Sequence, residues 1–253
     1  METHVVAVAF ALAQGSLYCY VGSRLSRRRV SAEAHLAQRM FVVWWFALGI
    51  VSMASGLLLV LEATGHLPVW VYQTSVQVEL VLLVAALFGL VYYLVYVYTG
   101  SNRWWGPLVV YYLLFYVAIE ALVAWAGPPT GFADNGWTVT AQPQPSLPPW
   151  AGLAFLVVFL GPQIAAGIMY GRLYWRTDDR TQRYRIAMVS GSILVWFGTS
   201  VVISVLALHD DAVQVASRVL GLGAAVAILL AYLPPASWRA RWGLQSISDD
   251  APA

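Results

Sequence analysis

Long apolar stretches alternate with short polar segments along all but the last twenty residues of this chain. Seven of the stretches are long enough to cross a bilayer, which takes about 20 residues at a rise of about 1.5 Å each. They run over 4–22, 40–61, 73–98, 107–126, 150–174, 186–208 and 212–233. The first has no basic flank before it and no small-residue cleavage site after it, so it reads as a retained helix rather than a signal peptide. The pattern predicts an all-α membrane protein. A seven-transmembrane-helix bundle would occupy 1–233, with a cytoplasmic tail over 234–253 and a Pro-rich extracellular loop over 127–149. Pro128, Pro129, Pro143, Pro145, Pro148 and Pro149 bar a continuous helix there, so an ordered flap or a mobile loop over the outer mouth is expected, with Phe132 and Trp137 available to pack downward.

The polar segments orient the bundle. Every basic side chain other than histidine is arginine: fourteen Arg and no Lys. Thirteen fall in alternate connections: Arg24, Arg27, Arg28, Arg29 and Arg39; Arg103; Arg172, Arg176, Arg180, Arg183 and Arg185; Arg239 and Arg241. The intervening segments contain none. Basic residues are retained on the cytoplasmic side, so the N-terminus is outside and the C-terminus inside, in a cell (plasma) membrane. Tryptophans near segment ends, among them Trp70, Trp104, Trp105, Trp175, Trp238 and Trp242, fit an interfacial belt.

Composition agrees. Sixty per cent hydrophobic residues, ten per cent charged and a mean hydropathy of +0.69 exclude an ordinary soluble domain. The formal charge of +2 gives no nucleic-acid signal, because the arginines are spread along one membrane face, where anionic lipid headgroups are their partners. Cys19 is the single cysteine and reads as a small buried hydrophobe. Ser52 with Gly56, Gly167 with Gly171, and Gly221 with Gly223 mark expected close helix contacts, and Pro162 is expected to disturb the fifth span.

The fourteenth arginine, Arg218, lies inside the seventh span, and Glu79 and Glu120 lie inside the third and fourth. A charge at the bilayer centre costs about 2.5–3.5 kcal/mol on insertion scales, so such residues face the interior and take partners. Each is six residues from the expected outer end of its span, about 9 Å below it. One layer of a cation and two carboxylates is therefore expected. Gln214 stands a turn above Arg218, Ser75 a turn above Glu79, and Gln73 and Gln77 mark a neighbouring face. Tyr112, Tyr116 and Glu120 form a stripe on the fourth helix, while Gln163 and Trp196 come from the fifth and sixth. The candidate ligand-binding set is Arg218, Glu79, Glu120, Gln214, Gln77, Tyr116 and Gln163, around an aromatic-walled cavity opening outward. A buried ion pair that only fixes helix register is the competing expectation.

The tail reads Tyr232-Leu-Pro-Pro-Ala-Ser-Trp-Arg. With seven spans and an Arg-rich third inner loop, it resembles the membrane sensor regions that precede bacterial histidine kinases. The resemblance implies a cytoplasmic signalling partner or a signalling domain beyond the tail. In the seventh helix, Val215-Ala-Ser-Arg-Val219 is similar to the short stretch around the retinal-binding lysine of microbial rhodopsins. Arg218 stands at the lysine position, and arginine cannot supply the primary amine of a Schiff base. Covalent retinal is excluded, and no cofactor is expected.

No enzyme is expected either. Gly198-Thr-Ser200-Val superficially fits an intramembrane serine protease, but the only later histidine, His209, is on the same helix. There is no HExxH, no intramembrane aspartate pair and no Gly-rich phosphate loop. His4, His66 and His209 lack metal-ligand spacing, and His35 is on the opposite side. A sensor or receptor binding a small ligand, lipid or proton is the leading expectation. A transporter or channel is the alternative, and lacks the repeated halves that class usually carries.

Overall fold

In the computed structural model the described residues are 2–27, 34–126, 131–134, 136–137, 139–142, 149–206 and 211–244. The expectations placed on Arg28 and Arg29, on Pro128, Pro129, Pro143, Pro145 and Pro148, on His209 and on the end of the tail lie outside them. So do the side chains of Thr199 and Ser200.

The described chain is nearly all helical. Seven long helices follow the seven apolar stretches: α1 (Glu2–Ser26), α2 (His35–Ala63), α3 (Val69–Thr99), α4 (Trp105–Ala126), α5 (Pro149–Arg176), α6 (Arg180–Leu206) and α7 (Asp211–Tyr232). A short α8 (Ala236–Trp242) follows the Pro234-Pro235 break. Five segments are long and apolar enough to cross a membrane: Thr3–Ser26, His35–Ala63, Val69–Thr99, Asn102–Trp125 and Ala212–Tyr232. Many large apolar side chains point outward, including Leu57, Leu113, Leu114, Val117, Ile168 and Leu194. A soluble protein rarely exposes so much contiguous apolar surface, whereas lipid covers it at no cost. This is the architecture of a helical membrane protein.

Helix ends are set by local chemistry. α3 stops where Gly100 adopts a left-handed φ of 64° and its N–H returns to the Tyr96 carbonyl at 2.7 Å. A single 3-10 turn, Asn102–Trp104, then leads into α4. Its Asn102 carboxamide oxygen accepts a hydrogen bond from Tyr92. Pro162 sits inside α5, which nevertheless runs unbroken to Arg176. Proline removes the N–H that would bond the carbonyl four residues back, here that of Val158. The Tyr111 hydroxyl of α4 donates to that carbonyl at 2.5 Å.

Helix neighbours define the site. α1 packs on α2, α2 on α3, α3 on α5, α5 on α6, α6 on α7, and α7 back on α1, closing a six-helix ring. α4 stands outside it, packed mainly on α3. The core draws Tyr18 and Val21 from α1, Phe41, Trp44 and Trp45 from α2, Leu87, Leu90 and Leu94 from α3, Tyr170 from α5, Val189 from α6 and Ile228 from α7. At the end holding the expected inner segments, the Tyr93 and Tyr232 hydroxyls lie 2.8 Å apart, linking α3 to α7.

Glycines bring α1 and α2 together. A Cβ on Gly49 would stand 2.6 Å from Cys19 Sγ and 3.0 Å from the Gly15 carbonyl oxygen, and one on Gly15 would meet Met53 and the Gly49 carbonyl. A Cβ on Gly89 would collide with the Met40 carbonyl oxygen, so α3 crosses α2 at similarly close range. Of the contacts expected from sequence, Gly56 packs on Ala11 and Gly221 on Gln14. Gly167, Gly171 and Gly223 have nothing within 4 Å of a Cβ position, and the close contacts expected there do not form.

Between α4 and α5, strands β1 (Gly131–Asp134) and β2 (Val139–Gln142) pair antiparallel, with Phe132 opposite Ala141. Trp137 is buried with Ala7 and Leu59, against Val8, Phe10 and Val215. The Phe132 ring lies 4.9 Å from that of Tyr72. The described part of the Pro-rich loop is thus an ordered flap over α1, α2 and α7.

Candidate functional site

Buried polar groups gather where α1, α6 and α7 meet. α1 is apolar around Gln14 and Tyr18, which are one turn apart and therefore share a face. Both are more than nine-tenths buried, and Gln14 Nε2 donates to the Tyr18 hydroxyl at 2.6 Å. The indole N–H of Trp196 on α6 also points to this hydroxyl. On α7, Gln214, Ser217, Gly221, Ala225 and Ile228 form the buried stripe, and Arg218 stands at its edge, partly exposed. The missing side chain of Gly221 matters here, since a Cβ would come within 3.1 Å of Gln14 Nε2. Glycine lets α1's polar face sit against α7.

The Arg218 guanidinium is within electrostatic reach of the Tyr18 hydroxyl. Its Nε is buried without a hydrogen-bond partner, as is Oε1 of Gln14. Among the described residues no carboxylate lies within ion-pair distance of Arg218; the ion pair among them is Arg183 with Asp178, 3.7 Å apart at an exposed helix junction.

The other expected site residues fall into separate places. Glu79 on α3 accepts from Ser75 Oγ at 3.2 Å. Gln77 is half-buried on the same helix. Glu120 on α4 is approached by the Tyr116 hydroxyl, and its Oε1 is buried without a partner. Gln163 on α5 is fully buried and donates to the Tyr112 hydroxyl at 3.4 Å. Gln214 is buried on α7, where its carbonyl accepts from Ser217 Oγ at 2.8 Å.

The expected layer of Arg218, Glu79 and Glu120 therefore does not assemble. α4 lies outside the ring, so Glu120 cannot face α7. α3 begins at Val69, four residues earlier than the apolar pattern indicated, which puts Glu79 about 15 Å along its helix. Arg218 is about 10 Å along α7. Tyr18, within electrostatic reach of Arg218, and Gln14, bonded to it, have a faint sequence signal: a polar i, i+4 pair in an otherwise apolar helix.

The expected outward-opening cavity is also displaced. Trp137 fills the outer junction of α1, α2 and α7, next to Val215 and one turn above Arg218. A void of about 10 Å³, room for one water, lies deeper among Tyr18, Trp44, Trp45, Ser192 and Trp196. A larger cavity of about 190 Å³ opens toward the expected inner end, lined by Gln38, Phe41, Tyr93, Tyr96 and Tyr232. An apolar groove of about 270 Å³ runs between α3 and α4 past Phe88, Tyr112 and Tyr116. Among the described residues no group of three or more His, Cys, Asp and Glu is placed to hold a metal ion.

Compared with known proteins, the chain matches no protein-family model, no curated protein and no solved structure. The functional reading rests on its own chemistry.

Proposed function

We propose that this chain is a seven-span protein of the cell membrane, N-terminus outside and C-terminus inside, that works as a sensor or receptor. A small ligand engages the outer half of the bundle at Arg218. The resulting shift of α7 is read at the inner surface by a cytoplasmic partner or domain. The supporting observation is Arg218 itself: a cation inside an apolar helix, within electrostatic reach of Tyr18, with no carboxylate within ion-pair distance among the described residues. Ionisable residues inside membrane helices are functional by default.

α7 supplies the route to the inner side. It runs from Arg218 through Tyr232, bonded to Tyr93 of α3, into the Pro-Pro break and then α8 with Arg239 and Arg241. The described arginines of the connections, from Arg24 to Arg241, lie at the ends of helices that share this side, as retention of basic residues in the cytoplasm requires. Transport fits less well, because Trp137 fills the outer junction and the ring below is packed with large apolar side chains.

The test is labelling of Ser237→Cys in a Cys19→Ser background with a membrane-impermeant maleimide. Reaction only from the cytoplasmic side is expected, with a rate that Arg218→Gln changes several-fold. Labelling from outside contradicts the topology, and an unchanged rate contradicts the coupling of Arg218 to the inner surface.

A further inference from the structure

Helices α2, α3 and α7 converge at the end of the bundle that carries the arginine-bearing connections. From the start of α2, Ala34, Ala37, Gln38 and Phe41 recur at helical spacing and share a face. On α3, Tyr93, Tyr96 and Val97 do the same. Tyr232, the last residue of α7, meets both. Together they line the cavity of about 190 Å³. The alanines leave the room, since larger side chains at 34 and 37 would occupy it. Gln38 is held at the wall by its Nε2, which donates to the Leu25 carbonyl of α1 at 2.7 Å.

The wall is aromatic, and its rings are fixed by their neighbours. Phe41 stacks on Tyr93 at 4.2 Å, with the planes 15° apart, and lies 5.9 Å from Tyr232. The Tyr93 and Tyr232 hydroxyls are 2.8 Å apart. Tyr170 of α5, outside the lining, bonds to Tyr232, and Arg185 of α6 is within electrostatic reach of Tyr170. Rings held by stacking and by hydroxyl bonds cannot swing into the space without losing those contacts.

Size and charge select the occupant. A cavity of about 150 Å³ takes benzene, so this one takes an aromatic ring with a few further atoms. No residue lining it carries a charge. An ion entering would give up its hydration and meet no opposite charge at the wall. Arg185, behind Tyr170, makes the place still poorer for a cation. An uncharged aromatic molecule loses little water and gains offset or edge-on ring contacts. The Gln38 carboxamide and the phenols suit one N–H or O–H on such a molecule.

We propose that the cavity between α2, α3 and α7 binds an uncharged aromatic molecule of one or two fused rings bearing a single hydrogen-bonding group, as indole and phenol do. This is a second ligand site and does not depend on the reading of Arg218. Its occupant touches Tyr232, directly before the Pro-Pro break that leads into α8.

The test uses the full chain in nanodiscs of zwitterionic lipid, with thermal unfolding as the readout. Indole, cyclohexane, tetramethylammonium and benzoate are the probes. Indole is expected to raise the midpoint saturably, while the other three at equal concentration do not. Ala34→Leu and Val97→Phe fill the cavity from α2 and from α3, and each is expected to fold and to abolish the indole shift. Val97 is partly exposed, so its variant tolerates the larger side chain if Ala34→Leu does not fold. Equal stabilisation by cyclohexane shows an unselective apolar void, by tetramethylammonium a cation site, and by benzoate an anion site; each overturns the proposal. So does the absence of an indole shift, or a shift that survives in a folded filled variant. The cysteine-labelling result stands or falls separately from all of these.

Discussion

The Tyr111 hydroxyl donates to the one carbonyl that Pro162 leaves unbonded in α5, that of Val158, at 2.5 Å. A backbone carbonyl freed by proline needs another donor, and a side chain of the neighbouring helix supplies it. The contact also ties α4, which otherwise packs mainly on α3, to the ring.

Tyr111→Phe is therefore expected to destabilise the protein by about 1 kcal/mol, the net worth of one hydrogen bond. In the presence of Pro162→Ala, which restores the N–H, the same change should be nearly neutral. Chemical unfolding of the two single variants and the double variant checks this. Equal costs for Tyr111→Phe in both backgrounds would show that the hydroxyl does not serve the proline gap.

The α1–α2 crossing makes a contrast between glycines. Gly49→Ala inserts a methyl 2.6 Å from Cys19 Sγ and 3.0 Å from the Gly15 carbonyl oxygen, an overpacking expected to cost about 1–3 kcal/mol. Gly167→Ala meets nothing within 4 Å and should be neutral or slightly stabilising, since alanine is the better helix former. Unfolding midpoints of the two variants, measured side by side, decide the matter; equal losses would contradict the close crossing.

Trp137 anchors the flap. Its replacement by alanine is expected to cost about 3–5 kcal/mol of local stability, as for other buried aromatic truncations. The consequence is readable as faster hydrogen exchange over 131–142 and at the N-terminal end of α1. Unchanged exchange in Trp137→Ala would mean that the flap is held by other contacts.

The long helices were legible because a membrane span is a length of apolar chain, and Gly100 and Pro149 punctuate such lengths clearly. The downward packing of Trp137 was legible too, as one of the few large apolar residues in a polar loop. Neighbour relations were not. Where lipid and protein interior are both apolar, periodicity does not say which face a helix buries, so nothing in α4 announced that Glu120 would stand outside the ring. Helix depth failed at Glu79 because Val69 to Tyr72 extend α3 beyond its most apolar part. The α1–α2 crossing did leave a trace. Gly15 and Gly22 on one helix and Gly49 and Gly56 on the other are each seven apart, a spacing that puts small residues on one face. Gln14 and Tyr18 carry no formal charge, so a pattern of charged positions does not single them out.

The central claim is that neither Glu79 nor Glu120 is the partner of Arg218, which has no carboxylate partner among the described residues. Double-mutant cycles of Arg218→Gln with Glu79→Gln and with Glu120→Gln, read by unfolding free energy, test it most directly. The account predicts additivity within about 0.5 kcal/mol for both pairs, as for residues that do not touch. A coupling of about 1–3 kcal/mol in either cycle would reveal an internal ion pair and contradict the account.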